Sequence, residues 1–241
     1  MAHVVYATMT AHAIHSEDRT MSAEVLGAVW LSARVAVAAT VLNALLGIPL
    51  AYLLARRRFW GRGLVDLLVT LPLVLPPTVT GYYLIVLLGR RGLLGAPLYD
   101  ATGWTVAFTW YAAVIAATVM ALPLLVRTAR AAIESVDRDL ERAAYTLGRS
   151  EWQTALTVTL PLARNGILAG LVLAFARALG EFGATLMLAG NIPGKTATVP
   201  LAIYTAVQTG ETSQVLILVG LLTVLSCAVL VVAGHLGARV S

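Results

Sequence analysis

Five stretches of this chain are apolar for long enough to cross a bilayer, and no other feature restricts its fold as strongly. They run from Val25 to Ala55, Leu64 to Gly89, Trp104 to Val126, Ala163 to Ala189 and Gln214 to Leu236. About 20 residues at about 1.5 Å each cross about 30 Å of hydrocarbon, where only a structure that satisfies its own backbone hydrogen bonds survives. An all-α, polytopic helical membrane protein follows. The third and fifth stretches contain no Asp, Glu, Lys or Arg, whereas a helix of a soluble bundle needs a polar face. Composition agrees: 59% of residues are hydrophobic and 12% charged, with mean hydropathy +0.84, against about 25% charged residues in soluble domains.

Residues 1–22 do not continue the first stretch. They carry His3, His12, His15, Glu17, Asp18 and Arg19 and lack a continuous apolar run, so they read as a disordered N-terminal tail rather than a cleavable signal peptide or a metal site. Residues 23–241 then form the membrane domain. Cys227, the only cysteine, sits among Leu and Val in the fifth stretch and reads as a small packing residue. A single cysteine excludes an internal disulfide and a multi-cysteine metal centre.

The net charge of +5 would suit a nucleic-acid binder, but its distribution is that of a membrane topology. Arg56, Arg57, Arg58 and Arg62 follow the first stretch; Arg127, Arg130, Arg138, Arg142, Arg149 and Arg164 lie between the third and fourth; Arg239 follows the fifth. The opposite set of loops holds Arg19, Arg90, Arg91 and Lys195. Basic loops stay in the cytoplasm. The N-terminus is therefore predicted outside, and the C-terminus and the segment from Arg127 to Ala163 inside. The partner implied is the lipid bilayer, not nucleic acid.

That segment is the informative one. Ile133, Val136, Leu140, Ala143, Ala144 and Leu147 recur at helical spacing among Glu134, Asp137, Arg138, Asp139, Glu141 and Arg142, predicting a short amphipathic helix. Gly148 interrupts it, and Trp152, Ala155, Leu156 and Thr159 set up a second before Leu160 and Pro161 lead into the fourth stretch. From periodicity alone, such an elbow could lie on lipid headgroups or grip a protein.

The run from Arg142 to Pro161, RAAYTLGRSEWQTALTVTLP, resembles the EAA loop of ABC-importer permeases. Ala143, Ala144, Gly148, Leu160 and Pro161 fall on its pattern, with Val158 in the Ile slot; Arg142 stands in the Glu slot and Glu141 one residue early. LPLVLPPTVTGYYL (Leu71 to Leu84), GRRGLLG (Gly89 to Gly95), LAFARALGEFGAT (Leu173 to Thr185) and GNIPGKTATVPLAIYT (Gly190 to Thr205) look like the molybdate permease subgroup, and related tungstate and sulfate permeases share parts of them. The resemblance implies a type I importer permease fold with about five to six transmembrane helices, working as a homodimer. It implies two copies of an ATP-binding subunit gripping residues 134–161, through Glu141, Arg142, Ala143, Ala144, Gly148, Leu160 and Pro161, and an extracytoplasmic molybdate-binding protein. No catalysis and no cofactor are implied for this chain.

A solute path should appear as polar or helix-breaking residues inside the apolar stretches, where they are costly unless they face a cavity or another helix. In the second stretch Pro72, Pro76 and Pro77 precede Thr78, Thr80 and Gly81, predicting a broken helix, with a kinked packing helix as the plainer alternative. In the fourth, Arg177 and Glu181 lie four residues apart on one face. They form either a structural ion pair or a source of positive potential for a dianion, with Glu181 moderating it. Gly166 to Gly170, GILAG, suits close helix packing. Val199 to Val207 is predicted as a short re-entrant or surface helix.

AGNIPGKT, from Ala189 to Thr196, imitates a phosphate-binding loop but has Ala where the first glycine belongs and no strand before it. An enzyme would need a nucleophile, base or metal cluster, and outside the tail the only histidine is His235. An ATP-independent transporter or channel would usually carry ionisable groups in several spans.

Overall fold

In the computed structural model, the backbone is described for residues 2–238 and side chains for residues 24–235 apart from 233. The first helix, α1 (Ala2–Arg56), continues unbroken into the first span. Where a disordered tail was predicted, the backbone is thus helical, and the three histidines lie outside the described side chains.

The second stretch is broken as its prolines predict. Helix α2 (Arg62–Val74) tolerates Pro72, and then Leu75 turns extended at φ −72°, ψ 142° before Pro77 opens α3 (Pro77–Leu88). A residue before proline is pushed out of the helical region, and Pro76 and Pro77 can donate no helical hydrogen bond.

The third stretch begins later and ends later than its apolar run. A short α4 (Gly95–Thr102) precedes it, and α5 (Trp110–Glu134) starts only where the Thr109 hydroxyl accepts from the Ala112 amide. It then extends two turns past Val126, so Ile133 belongs to α5 and not to the amphipathic helix predicted around it. Helix α6 (Arg138–Thr146) starts afresh where the Asp137 carboxylate caps the Asp139 amide at 2.9 Å. After it come α7 (Glu151–Thr154), a π-helical stretch at Ala155–Thr159 and α8 (Leu160–Leu162).

The fourth stretch is two helices where one was predicted. Helix α9 (Arg164–Leu179) stops at Gly180, and α10 (Gly183–Ala189) begins after Phe182. Gly180 is a poor helix former, and the Glu181 carboxylate accepts from the Ala184 amide at 2.8 Å, satisfying a donor that a continuous helix would have used. Helix α11 (Val199–Thr209) matches the predicted short helix, and α12 (Thr212–Ala238) is the last span.

Helix α5 is the axis of the molecule: 67% of its most apolar stretch is buried, against 28% for that of α1 and 11% for that of α12. The core between α1, α5 and α9 is built largely of alanine, including Ala36, Ala39, Ala113, Ala117, Ala121 and Ala174. Small residues let helix backbones approach, which is the main packing device where lipid removes the hydrophobic drive between helices. At Gly166 a Cβ would sit 2.4 Å from that of Ala132, which accounts for the GILAG pattern. Cys227, expected to pack, is exposed in the single chain, on α12, the least buried span.

Candidate functional site

Two regions concentrate polar side chains. The first is the elbow between α5 and α9, which meets α9 at an angle of 75°. Its first arm, α6, ends at Thr146 with Leu147 as its C-cap, and Gly148 turns at φ +79°, a left-handed conformation that costs a side chain about 1 to 2 kcal/mol. Space is not the constraint there, since no atom lies within 4 Å of where a Cβ would be. The second arm starts with a capping box: Ser150 accepts from the Gln153 amide while the Gln153 side chain accepts from the Ser150 amide.

Amphipathicity sorts the predicted coupling residues onto two faces. Glu141 and Ala144 are buried; Arg142, Ala143, Gly148 and Pro161 are exposed, and Leu160 is half-buried at the base. Glu141 thus points into the protein. Its Oε1 accepts from the Arg56 Nε at 3.0 Å and from the Thr159 hydroxyl at 2.6 Å, and a second Arg56 nitrogen donates to the Val136 carbonyl at 2.9 Å. Arg142 is outside, paired with Asp139 at 2.9 Å, both side chains being more than 70% exposed. Beside it Leu140, Leu147, Trp152 and Leu156 are exposed, Leu147 at 83%. An apolar surface with basic neighbours, presented on a stiffly capped turn, can grip a protein groove.

More arginine pairs surround the elbow. Arg57 pairs with Glu151, Arg130 bridges Asp66 at 3.1 Å and Glu134 at 2.9 Å, and Arg62 reaches Glu134 at 3.9 Å. Tyr145, on α6, has its phenol pushed above the ordinary tyrosine pKa, first by desolvation and then by the carboxylates of Glu141 and Glu151. It stays a neutral hydroxyl.

The second region lies where the two broken stretches meet. A Cβ on Gly81 of α3 would fall 2.8 Å from the Ala184 Cα of α10, and one on Gly183 would fall 2.9 Å from the Pro77 Cβ and 3.2 Å from the Thr78 amide nitrogen. The predicted path residues therefore come from neighbouring breaks. Thr78 is exposed; Thr80 is buried, its hydroxyl without a hydrogen-bond partner among the described residues. Arg177 and Glu181 form an ion pair at 2.7 Å, a close charge contact rather than an aligned hydrogen bond, with Glu181 2% and Arg177 27% exposed. No hydrogen bond joins either threonine to that pair among the described residues.

Sequence reasoning passed over three residues. Arg56 counted only as a topology charge, and Thr159 only as part of a helical stripe. Arg34 stands inside the first apolar stretch, a costly place that is itself a signal. It lies 3.9 Å over the Trp110 ring and lines a cavity of about 750 Å³ with Trp30, Lys195 and Gln214. The imitation phosphate loop is a helix connection fastened on itself, Thr196 receiving the Ile192 amide at 2.9 Å and donating to the Gly190 carbonyl.

The family described as "Binding-protein-dependent transport system inner membrane component" matches residues 47–241. The chain is 53% identical over 182 residues to the molybdenum transport system permease protein ModB of Escherichia coli (strain K12), covering 76% of this chain and 80% of that one. It is 46% identical over 214 residues to the Mycobacterium tuberculosis protein of the same name, covering 88% and 78%. Among solved structures, the MetNI methionine ABC transporter in inward-facing form superposes with TM-score 0.68 at 17% identity, over 92% of this chain and 98% of that one. An amino acid ABC transporter crystallised with histidines gives 0.64 at 16% identity, over 92% and 97%. At such identities the likeness concerns the fold.

Proposed function

Because the chain belongs to the family of binding-protein-dependent transport inner membrane components, we propose that it is the membrane-spanning subunit of an ATP-driven ABC importer that carries molybdate across the cytoplasmic membrane. The observation that carries this reading is the elbow: a rigidly capped turn with its charged residue Glu141 turned inward and an apolar, arginine-flanked face turned outward. Likeness to permeases named for molybdenum supports the cargo.

ATP is hydrolysed on a partner chain. Two copies of an ATP-binding subunit grip the elbows of a homodimer through Ala143, Leu147 and Trp152, with Arg142 at the rim. Two copies of the chain enclose the path, since α1 and α12 leave broad apolar faces unburied and closed two-fold pairs are the commonest assembly. The asymmetry of arginines supports a cytoplasmic elbow and C-terminus and an outer N-terminus. From that outer side, an extracytoplasmic molybdate-binding protein delivers the dianion.

The path passes the junction of α3 and α10. A polar group left without a partner inside a membrane protein is costly unless solute or water meets it, and Thr80 offers such a group. Arg177, the partly exposed member of its pair, supplies positive potential, and Glu181 keeps it from holding a dianion too firmly. ATP-driven closure moves the elbows and switches the cavity between its two openings.

The test is uptake by the reconstituted complex with ATP-binding subunit and binding protein. Molybdate should enter only with ATP, and excess tungstate or sulfate should compete less well than unlabelled molybdate. Stronger competition by either would reassign the cargo to that oxyanion. Uptake by the chain alone without ATP would replace the importer reading with that of a secondary transporter or channel. Leu147→Asp should leave the protein folded and inserted while the ATP-binding subunit no longer co-purifies; retention of that subunit would remove the grip.

A further inference from the structure

Arg56 and Glu141 join more of the molecule than any other described ion pair. The side chains are 7% and 9% exposed. Arg56 ends α1; its guanidinium reaches Glu141 on α6 and the Val136 carbonyl in the turn after α5, while Glu141 also receives the Thr159 hydroxyl from the π-helical stretch. A guanidinium offers donors in a fixed planar fork, so the directions of its bonds are set as well as their number. Three segments of the elbow are thereby fixed to the end of one helix.

That helix is fastened a second time, further toward its N-terminus. The Ser32 hydroxyl of α1 accepts from the Val199 amide at 2.7 Å, at the start of α11, with Ser32 3% and Val199 2% exposed. Ala28, Val199 and Leu218 pack together there. From Ser32 to Arg56 is roughly 36 Å of helix at about 1.5 Å per residue, the depth of a membrane. Between Ser32 and Arg56 the helix is continuous through Pro49, and it packs on α5 and α9 through small residues such as Ala36, Ala39 and Ala51.

We propose that Arg56 is a positioning residue for transport: through its buried bond to Glu141 it fastens the elbow to α1, and α1 acts as the rod that carries elbow movement across the membrane to the start of α11. This rests on the importer reading. Elbow movement then reaches α11 and the loop at residues 190–198 without first passing through the α3 and α10 junction.

The experiment measures ATP hydrolysed per molybdate taken up, in the reconstituted complex with ATP-binding subunit and binding protein. The double variant Arg56→Met/Glu141→Gln leaves no lone buried charge and keeps an acceptor for Thr159. It should raise the ratio by roughly twofold to thirtyfold, the range for residues that carry coupling, with hydrolysis per assembled complex near wild type. Arg56→Lys, which keeps the charge and loses the fork, should give a smaller rise, and Ser32→Ala a rise of the same sign from the far end. Ratios equal to wild type in all three overturn the proposal, whether rates are unchanged or fall together with the amount assembled. Should the double variant fail to assemble, Arg56→Lys and Thr159→Val decide by the same ratio. A wild-type complex without ATP-dependent uptake would instead sink the importer reading, so the two failures are separable.

Discussion

The elbow and the α3–α10 junction are both interruptions of helices, yet they are finished in opposite ways. At the elbow side chains close most of the interruption: Asp137 caps α6, Ser150 and Gln153 cap α7, and Arg56 and Thr159 satisfy Glu141, leaving the Thr154 hydroxyl as the one buried side-chain group there without a partner among the described residues. At the junction the interruption is closed by backbone against backbone, with Gly81 and Gly183 in near contact with the opposite helix. The polar groups there remain short of partners, Thr80 with none and Glu181 with an ion contact and one amide. A part that transmits force has to keep its shape, and a connected network of caps and buried hydrogen bonds supplies that. A part that lets a hydrated ion pass has to keep polar capacity in reserve, and membrane proteins hold such groups only where a cavity or neighbour repays the cost.

The largest test of that contrast is Arg177→Ala. It strands Glu181, 2% exposed, without its cation, and losing one member of a buried pair costs about 3 to 5 kcal/mol. Arg177→Ala/Glu181→Gln should recover most of the melting temperature in detergent. If the double variant is stable but transports poorly, the pair serves the path; if it is both stable and active, the pair is structural. A melt unchanged by Arg177→Ala would show that water already reaches Glu181.

Next is Gly81→Val. Its Cβ would press on the Ala184 backbone, which cannot rotate away as a side chain can, and overpacking costs about 1 to 3 kcal/mol. Thermal unfolding and uptake should fall together. Loss of uptake with an unchanged melt would mean that the junction opens far enough to take the added carbons.

How much of this was legible before the structure follows from how local each signal was. The break at Leu75–Pro76 was readable because proline's effect is confined to its neighbours, and the turn at Gly148 because a glycine between two amphipathic runs is a local stop. The break at Gly180–Phe182 was hidden because the apolar run resumes after it, and a carboxylate that caps α10 looks the same in sequence as one that pairs along a helix. Glu141 could be placed on the elbow but not turned inward, because its partner stands 85 residues away on α1. The bond between Ser32 and Val199 spans 167 residues and involves an amide, which no side-chain pattern reports. Arg34 was the exception: a cation inside an apolar stretch is a local signal, and its place over Trp110 gives it a physical reason.

A smaller effect separates shape from space at the elbow. Gly148→Ala meets no atom within 4 Å, so its whole cost is that of holding alanine at φ +79°, about 1 to 2 kcal/mol. Gly148→Asn should cost less, because asparagine tolerates the left-handed region. Equal losses for the two, measured by thermal unfolding, would mean that the added atoms collide with something, such as a bound subunit, and that the turn is filled in the assembly.

The smallest effect is expected at the rim. Arg57 and Glu151 pair across the outside of the elbow with side chains 57% and 38% exposed, and water competes for both charges. Pairs of this kind are worth about 0.2 to 1 kcal/mol and less as salt is added. Arg57→Ala should therefore lower the melting temperature slightly at low ionic strength and indistinguishably at high, while Arg56→Ala, one residue earlier but buried against Glu141, should lower it strongly at both. The two neighbours thus divide the elbow into an outer pair that water can replace and an inner pair that it cannot. Were Arg57→Ala as damaging as Arg56→Ala, and equally so in high salt, the elbow would be held at its surface, and its buried Arg56–Glu141 network would not be what distinguishes it from the junction in the membrane.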